Sequence, residues 1–205
     1  MRQDYYCVLL KERNRRMAAS TKREDILAAT LRLTAEKGIQ GITTADIAKA
    51  ANVGMGTIYN YFESKDVLLT ALFDQLKVKF IETIVSNYNF DNDPHQNFKN
   101  IVVVLVRYYV AHADEFGFLE RYSDSRLQFG KGLDESTKLI GHVTSMLEDV
   151  KHDYKFKNFP PSVLLAMTYG PLVAIVNLVL MKQIELTDEL LSEIADACWD
   201  SILDK

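Results

Sequence analysis

The chain has 205 residues, of which 48% are hydrophobic, so it is long enough to bury the core of one large domain or two small ones. Its formal net charge of −4 argues against a protein that binds nucleic acid over its whole surface, because such proteins are usually basic. Residues 1–62 nevertheless carry ten Lys and Arg against six Asp and Glu, so the excess of basic charge lies in the N-terminal part.

Residues 1–19 are predicted to form a loosely ordered leader. They lack the long apolar run and small-residue cleavage site of a signal peptide, and their basic side chains are either a solvated tail or contacts to phosphates. The two cysteines, Cys7 and Cys198, fit neither a metal-binding spacing nor a disulfide framework, and no two histidines stand at i and i+4. We therefore expect a cytoplasmic protein without a metal or a cofactor.

The hydrophobic pattern is helical along the whole chain, and no stretch shows the sustained alternation of a β-strand. The first helix is predicted to start at the capping signature of Thr21 and Glu24 and to stop at Gly38. The fold class is therefore all-α.

Two short helices follow, joined by a tight turn. Thr43, with Asp46 three residues later, marks the start of a helix over 44–51, and a second helix covers 57–62. Asn52 stands where the turn needs a left-handed residue. This spacing predicts a helix-turn-helix. Its second helix is anchored by Ile58, Tyr61 and Phe62, and its outward positions are Gly54, Met55, Gly56, Thr57, Tyr59 and Asn60.

The remaining chain is predicted to form six more helices. Ser64 caps a long helix to about residue 86, a polar linker covers 87–96, and Asp93 caps the helix that Pro94 begins. The expected helices are 94–113, 115–128, 133–154, 161–181 and 188–203.

The segment ITTADIAKAANVGMGTIYNYFESKDVLL, residues 42–69, resembles the DNA-binding motif of the TetR family of transcriptional regulators. The resemblance covers about residues 21–73. It implies a three-helix DNA-binding head over 20–66 and a larger helical body over 67–205 that binds an effector and forms a homodimer.

The resemblance also assigns roles to residues in the head. Thr44, at the first turn of its helix, and Lys65 match positions that contact phosphates, and Tyr59 matches an aromatic that contacts the DNA backbone. The groove-facing positions are Gly54, Met55, Gly56, Thr57 and Asn60. Since Gly54 and Met55 replace polar residues that are common in the family, hydrogen-bonded readout is expected to be sparse, with a thymine methyl as an alternative contact for Met55.

Residues 158–181 contain no charged side chain, which also fits a membrane span. Three prolines interrupt the segment, and Ala166, Gly170 and Ala174 form a stripe of small residues that allows another helix to approach. We therefore predict a dimer interface rather than a membrane helix. The predicted interface comprises the stripe Ala166, Gly170 and Ala174 and, on the last helix, Leu191, Ile194, Cys198 and Ile202.

Aromatic and Met side chains of the body are candidates for an effector pocket. The candidates are Tyr108, His112, Phe116, Tyr122, Met146 and Tyr169. Such a lining, without a cluster of charged residues, suits a small apolar or aromatic effector, and the alternative for each residue is ordinary core packing.

The sequence thus favours a ligand-responsive regulator, a repressor that binds a palindromic double-stranded operator as a homodimer. The alternative is a helical protein-interaction module that uses DNA only as a scaffold. An enzyme is not expected, because no catalytic triad order, nucleophile elbow, metal cluster or paired carboxylates are found.

Overall fold

The computed structural model describes residues 21–89, 92–128 and 154–204, which form eight α-helices and no strand. This confirms the all-α class. The helices are α1 (Thr21–Lys37), α2 (Thr44–Ala50), α3 (Met55–Tyr61), α4 (Lys65–Ser86), α5 (Pro94–Ala111), α6 (Ala113–Gln128), α7 (Pro161–Leu180) and α8 (Asp188–Ile202). The predicted leader, Met146 and nearly all of the helix expected over 133–154 lie outside the described residues.

The chain divides into two compact units, residues 1–74 and 75–205, and the division falls inside α4. In the first unit α1 ends where Gly38 adopts a φ of 73°, as expected of a glycine that terminates a helix. The start of α2 is fixed by a capping box: the Thr43 hydroxyl accepts the Asp46 amide at 3.1 Å, and Asp46 accepts the Thr43 amide at 2.9 Å. The signal at Thr43 and Asp46 is therefore confirmed.

The core of the first unit is formed by side chains from each of its helices. Its most deeply buried members are Ile26, Leu27, Ile42, Ile47, Ile58, Leu68 and Leu72. Phe62 is buried as predicted, but the expectation that Tyr61 anchors α3 was wrong, because this side chain is 38% exposed. The guanidinium carbon of Arg23 lies over the ring of Phe62, 5.5 Å from the centroid of that ring.

In the second unit α5 packs against α7 and α8, and α7 also packs against α8. Asp93 caps α5 by accepting the Gln96 amide at 3.1 Å, with Pro94 at its first position, and Thr187 caps α8. The inward face of α7 is Leu164, Leu172 and Val176. Leu164 packs with Ile202 and with Trp199, the one tryptophan of the chain.

The inward face of α8 corrects part of the predicted dimer interface. Leu191, Cys198 and Ile202 are buried by the helices of their own chain, and Ile194 is half-buried. The apolar stripe of α8 therefore completes the core of the second unit. These three side chains cannot form the surface that the sequence analysis expected of them.

Candidate functional site

The helix-turn-helix is built by α2, α3 and the turn between them. Asn52 has a φ of 53°, which confirms the predicted left-handed residue, and the Val53 amide donates to the Ala48 carbonyl at 3.0 Å. Ile47 and Ala48 face inward from α2, and Ile58 does so from α3. Because Ala48 has only a methyl group, the turn can fold back closely over α2.

The opposite side of α3 is open to solvent. Met55 is 40% exposed and Tyr59 52%, and Gly54, Gly56 and Asn60 are also exposed, whereas Thr57 is half-buried. These six residues are the predicted outward positions, and each of them is at least partly accessible in the fold. The helix has no charged side chain, so its hydrogen-bonding side chains are those of Thr57, Tyr59, Asn60 and Tyr61.

The phosphate contact expected at the start of α2 has an acidic neighbour. Thr44 is half-buried at the first position of the helix, and the carboxylate of Asp46 lies in the same turn. Hydrogen bonds from the Thr43 side chain and backbone are the main causes that lower the pKa of Asp46 to about 2, with a smaller effect of Lys37 at 3.4 Å. An anion bound beside Thr44 would therefore meet a neighbouring negative charge.

Lys65 has a partner inside its own unit, which the sequence analysis missed. Its Nζ donates to the backbone carbonyl of Ile42 at 2.6 Å. This bond connects the first residue of α4 to the segment that precedes α2. Lys65 therefore orients the helix-turn-helix, and only the remaining hydrogens of its ammonium group are available for a phosphate.

The candidate effector residues of the second unit differ in burial, and the rings of Tyr109 and Phe80 connect Phe116 to Tyr169. Phe116 and Tyr122 are buried, and Tyr169 is partly buried against the ring of Phe80, 6.1 Å away. His112 is exposed, with its ring stacked on Tyr108 at 4.3 Å, so the prediction that it lines an enclosed site was wrong.

Acidic groups lie among these aromatic rings, contrary to the expectation of an uncharged lining. Glu115 is only 6% exposed, and it accepts hydrogen bonds from Lys79 Nζ at 2.7 Å and from the Tyr108 hydroxyl. Burial is the main cause that raises the pKa of Tyr108, followed by its bond to Glu115. Glu120 accepts from the Tyr169 hydroxyl at 3.3 Å. A signal was present in the sequence, because Lys79 stands three residues after Leu76, a buried residue of α4, and therefore on the same side of the helix.

The predicted small-residue stripe of α7 lies on the outside of the second unit. Ala166, Gly170 and Ala174 are exposed, as is Val163 one turn before them. By length and composition α7 is the one helix in the described part of the chain that is long and apolar enough to cross a membrane, and 17% of its most apolar stretch is buried. The helix thus has a packed face and a large apolar face without a partner among the described residues.

Metal binding has no candidate in the described ranges, where no group of three or more His, Cys, Asp or Glu side chains is arranged to hold an ion.

Family models match both parts of the chain. The model described as "Bacterial regulatory proteins, tetR family" matches residues 26–72, and the model "Tetracyclin repressor-like, C-terminal domain" matches residues 73–203. Together they cover the helix-turn-helix and the second unit.

Curated relatives are similar mainly over part of their length. An uncharacterized HTH-type transcriptional regulator of Haemophilus influenzae is 36% identical over 42% of this chain and 48% of its own length. The HTH-type transcriptional regulator BetI of Stenotrophomonas maltophilia is 28% identical over 62% of this chain and 72% of its own. The chain thus spans about half the length of the first of these relatives.

Solved structures share the fold over nearly the whole chain. A TetR family transcription regulator of Marinobacter aquaeolei has a TM-score of 0.81 at 23% identity and covers 90% of this chain and 96% of its own. A putative regulator of Vibrio parahaemolyticus has a TM-score of 0.77 at 25% identity and covers 90% and 100%.

Proposed function

The chain belongs to the TetR family of bacterial transcriptional regulators, and from that premise we propose that it is a repressor that binds a palindromic operator as a homodimer and is released by a small apolar or aromatic effector. It is a DNA-binding protein with a helix-turn-helix, not an enzyme. We place its activity in the cytoplasm, where the operator is.

The recognition helix of this proposal is α3. The observation that carries the assignment is the division of its seven residues into a buried side, at Ile58, and an exposed side at Met55, Tyr59 and Asn60. Thr57 and Asn60 would bond to base edges in the major groove, and Tyr59 would contact the DNA backbone. The excess of Lys and Arg over residues 1–62 would attract the duplex.

The phosphate contacts are proposed at Thr44 and Lys65. The half-buried hydroxyl of Thr44 stands at the first turn of α2, and Lys65 retains hydrogens besides the one given to Ile42. Because phosphates carry no sequence information, both residues would position the head without choosing among operators.

The homodimer is proposed to form on the outer face of α7, in which Gly170 is the informative residue. A Cβ at this position would meet no heavy atom of the described chain within 4 Å, and its φ is not positive. A glycine inside a helix lowers helix stability by about 1 kcal/mol relative to alanine, with no compensating contact among the described residues. A second copy that approaches at Ala166, Gly170 and Ala174 would use the space that glycine leaves open. We prefer this partner to a membrane because Leu164 and Leu172 are buried on the other face of the helix, which runs without a break through Pro171.

The effector is proposed to bind among the rings of α5, α6 and α7. Phe116, Tyr122 and Tyr169 would supply the apolar surface, and Met146 stays a prediction. Tyr108 and its partner Glu115 would provide hydrogen-bonding groups that orient the molecule. Binding there would favour a state with low operator affinity, which requires a coupling free energy of about 1–3 kcal/mol.

The experiment selects duplexes from a random pool with the purified protein and then measures the affinity of the Thr57→Ala/Asn60→Ala variant for the selected duplex. We expect discrimination to fall by about 1–3 kcal/mol for each hydrogen bond to a base that the substitutions remove, while affinity for random duplexes is retained. An unchanged preference would contradict the assignment of α3.

The effector part is tested with a panel of apolar compounds, by thermal shift and by release of the selected duplex. If no compound of the panel stabilises the protein and its DNA affinity stays unchanged with all of them, the alternative is favoured, namely an interaction module that uses DNA as a scaffold.

A further inference from the structure

Four glycines lie in the described part of the first unit, and the fold explains only two of them. Gly38 needs its positive φ to end α1, and a Cβ on Gly41 would lie 2.3 Å from the Lys37 carbonyl oxygen. A Cβ on Gly54 would meet only the Thr57 hydroxyl, at 4.0 Å, and one on Gly56 would meet no heavy atom of the described residues within 4 Å. Neither Gly54 nor Gly56 has a positive φ.

These two glycines reduce the stability of the helix they begin. Gly56 stands inside the seven-residue helix α3, where alanine would be favoured. Gly54 is the N-cap of α3 and provides no side-chain hydrogen bond to the free amides of the first turn, which a Ser, Thr or Asp would provide. The chain thus gives up helix stability at Gly56 and, to a much smaller extent, at Gly54, because an N-cap tolerates glycine; within the described structure no close packing compensates for the loss.

Between the two glycines stands an apolar side chain. Met55 is 40% exposed, and α3 has no charged residue with which to read bases. In the major groove the thymine methyl group is the apolar feature that distinguishes one base from the others. A flexible thioether fits such a methyl group, provided that the backbone lies close enough to the groove.

We propose that Gly54, Met55 and Gly56 act as one reading element, in which the glycines let the backbone lie against the duplex and Met55 contacts the methyl group of a thymine in each operator half-site. This inference rests on the proposed function of α3 and adds to it the base that the helix selects. The specificity of the helix then depends on close approach as well as on Thr57 and Asn60.

The close approach predicts effects of opposite sign on stability and on binding. Gly56→Ala is expected to keep or raise the melting temperature, because alanine is the better helix former, and to weaken operator binding about 5- to 150-fold, because the added methyl group clashes with the duplex. Gly38→Ala is the matched control: it should lower the melting temperature, because of the positive φ, and leave the affinity of the folded protein unchanged. A Gly56→Ala protein that binds the operator like the wild type would overturn the proposal.

The thymine methyl group is tested by replacing each thymine of the selected operator, one at a time, with deoxyuridine, which lacks only that group. We expect one position per half-site at which removal of the methyl group lowers wild-type affinity about fourfold. The operator affinity of Met55→Ala should not change when the thymine at that position is replaced, while replacements at all other positions should affect this variant as they affect the wild type. Met55→Leu should lose affinity at that position as the wild type does.

The possible failures are distinguishable. If a specific duplex is selected but no thymine position is coupled to Met55, the reading element is refuted while the function stands. If no specific duplex is selected at all, both the function and this inference are refuted.

Discussion

Replacing Gly170 with leucine tests whether two copies meet on the exposed face of α7. In one chain the new side chain has room, since nothing in the described part of the molecule lies within 4 Å of the Cβ position. The helix itself should become more stable by about 1 kcal/mol, because leucine is a much better helix former than glycine. Any loss of assembly would therefore arise between chains.

The magnitude follows from the symmetry of a dimer. Overpacking a close helix contact costs about 1–3 kcal/mol, and a two-fold interface contains the substituted residue twice. The dimer should lose about 2–6 kcal/mol, which raises its dissociation constant about 30-fold to 10⁴-fold. Gly170→Ala adds a single methyl group and should fall between the wild type and the leucine variant.

The assay is sedimentation equilibrium over a range of protein concentrations, with urea unfolding of each variant to confirm that the chain stays folded. Glu36→Leu is the control, because it adds an exposed leucine to α1, far along the sequence from α7. If Gly170→Leu dimerises like the wild type, or if the wild type is a monomer at micromolar concentration, α7 is not the interface and its apolar face needs another partner.

Three further substitutions test interactions within the units. Lys65→Met should lower the stability of the first unit by about 1–3 kcal/mol in urea unfolding, because a backbone carbonyl loses its partner, and should weaken binding to all duplexes alike; a changed order of operator preference would contradict this role. Thr43→Ala should lower stability by about 0.5–2 kcal/mol because the cap is removed. In the wild type, the low pKa of Asp46 stabilises the fold above about pH 4, and this contribution is lost as the pH falls from the usual pKa of 3.8 towards 2. Circular dichroism at decreasing pH should therefore show that stability falls less steeply with acid in Thr43→Ala than in the wild type. Lys79→Met should destabilise the second unit by about 1–3 kcal/mol by leaving the buried carboxylate of Glu115 with one partner fewer, and the double variant with Glu115→Leu should recover part of that loss in urea unfolding.

Helix boundaries in the described part of the chain were predicted to within two residues, although α3 begins at Met55 rather than at residue 57, so Met55 and Gly56 lie in the helix and not in the turn. Gly38, Asn52, Asp93 and Thr187 each act within four residues of their own position, through a backbone conformation or a cap. Such effects depend on the local chain alone, so they can be predicted without knowledge of the rest of the molecule. The helix-turn-helix was predictable for the same reason.

The polar interactions of the candidate sites were not predictable. Lys65 finds the Ile42 carbonyl 23 residues earlier in the chain, and Glu115 pairs with Lys79 from a helix 36 residues away. In the sequence a lysine at the start of a helix fits a phosphate contact as well as a carbonyl. Only the packing of the helices around each ammonium group decides which partner it meets.

The sequence by itself determined the described helices, their ends to within two residues and, except for Tyr61, the residues that face away from the core of the helix-turn-helix, because turn residues and period 3.6 are properties of a short stretch of chain. It also showed that α7 and α8 each carry an apolar stripe. The tertiary structure decided that the α8 stripe, with Leu191 and Ile202, is buried within the chain while the α7 stripe at Gly170 stays exposed. Burial in a chain's own core and burial against a second copy follow from the same hydrophobic free energy, so the sequence pattern is the same in both cases, and only the packing of the described helices shows which stripe is covered within the chain.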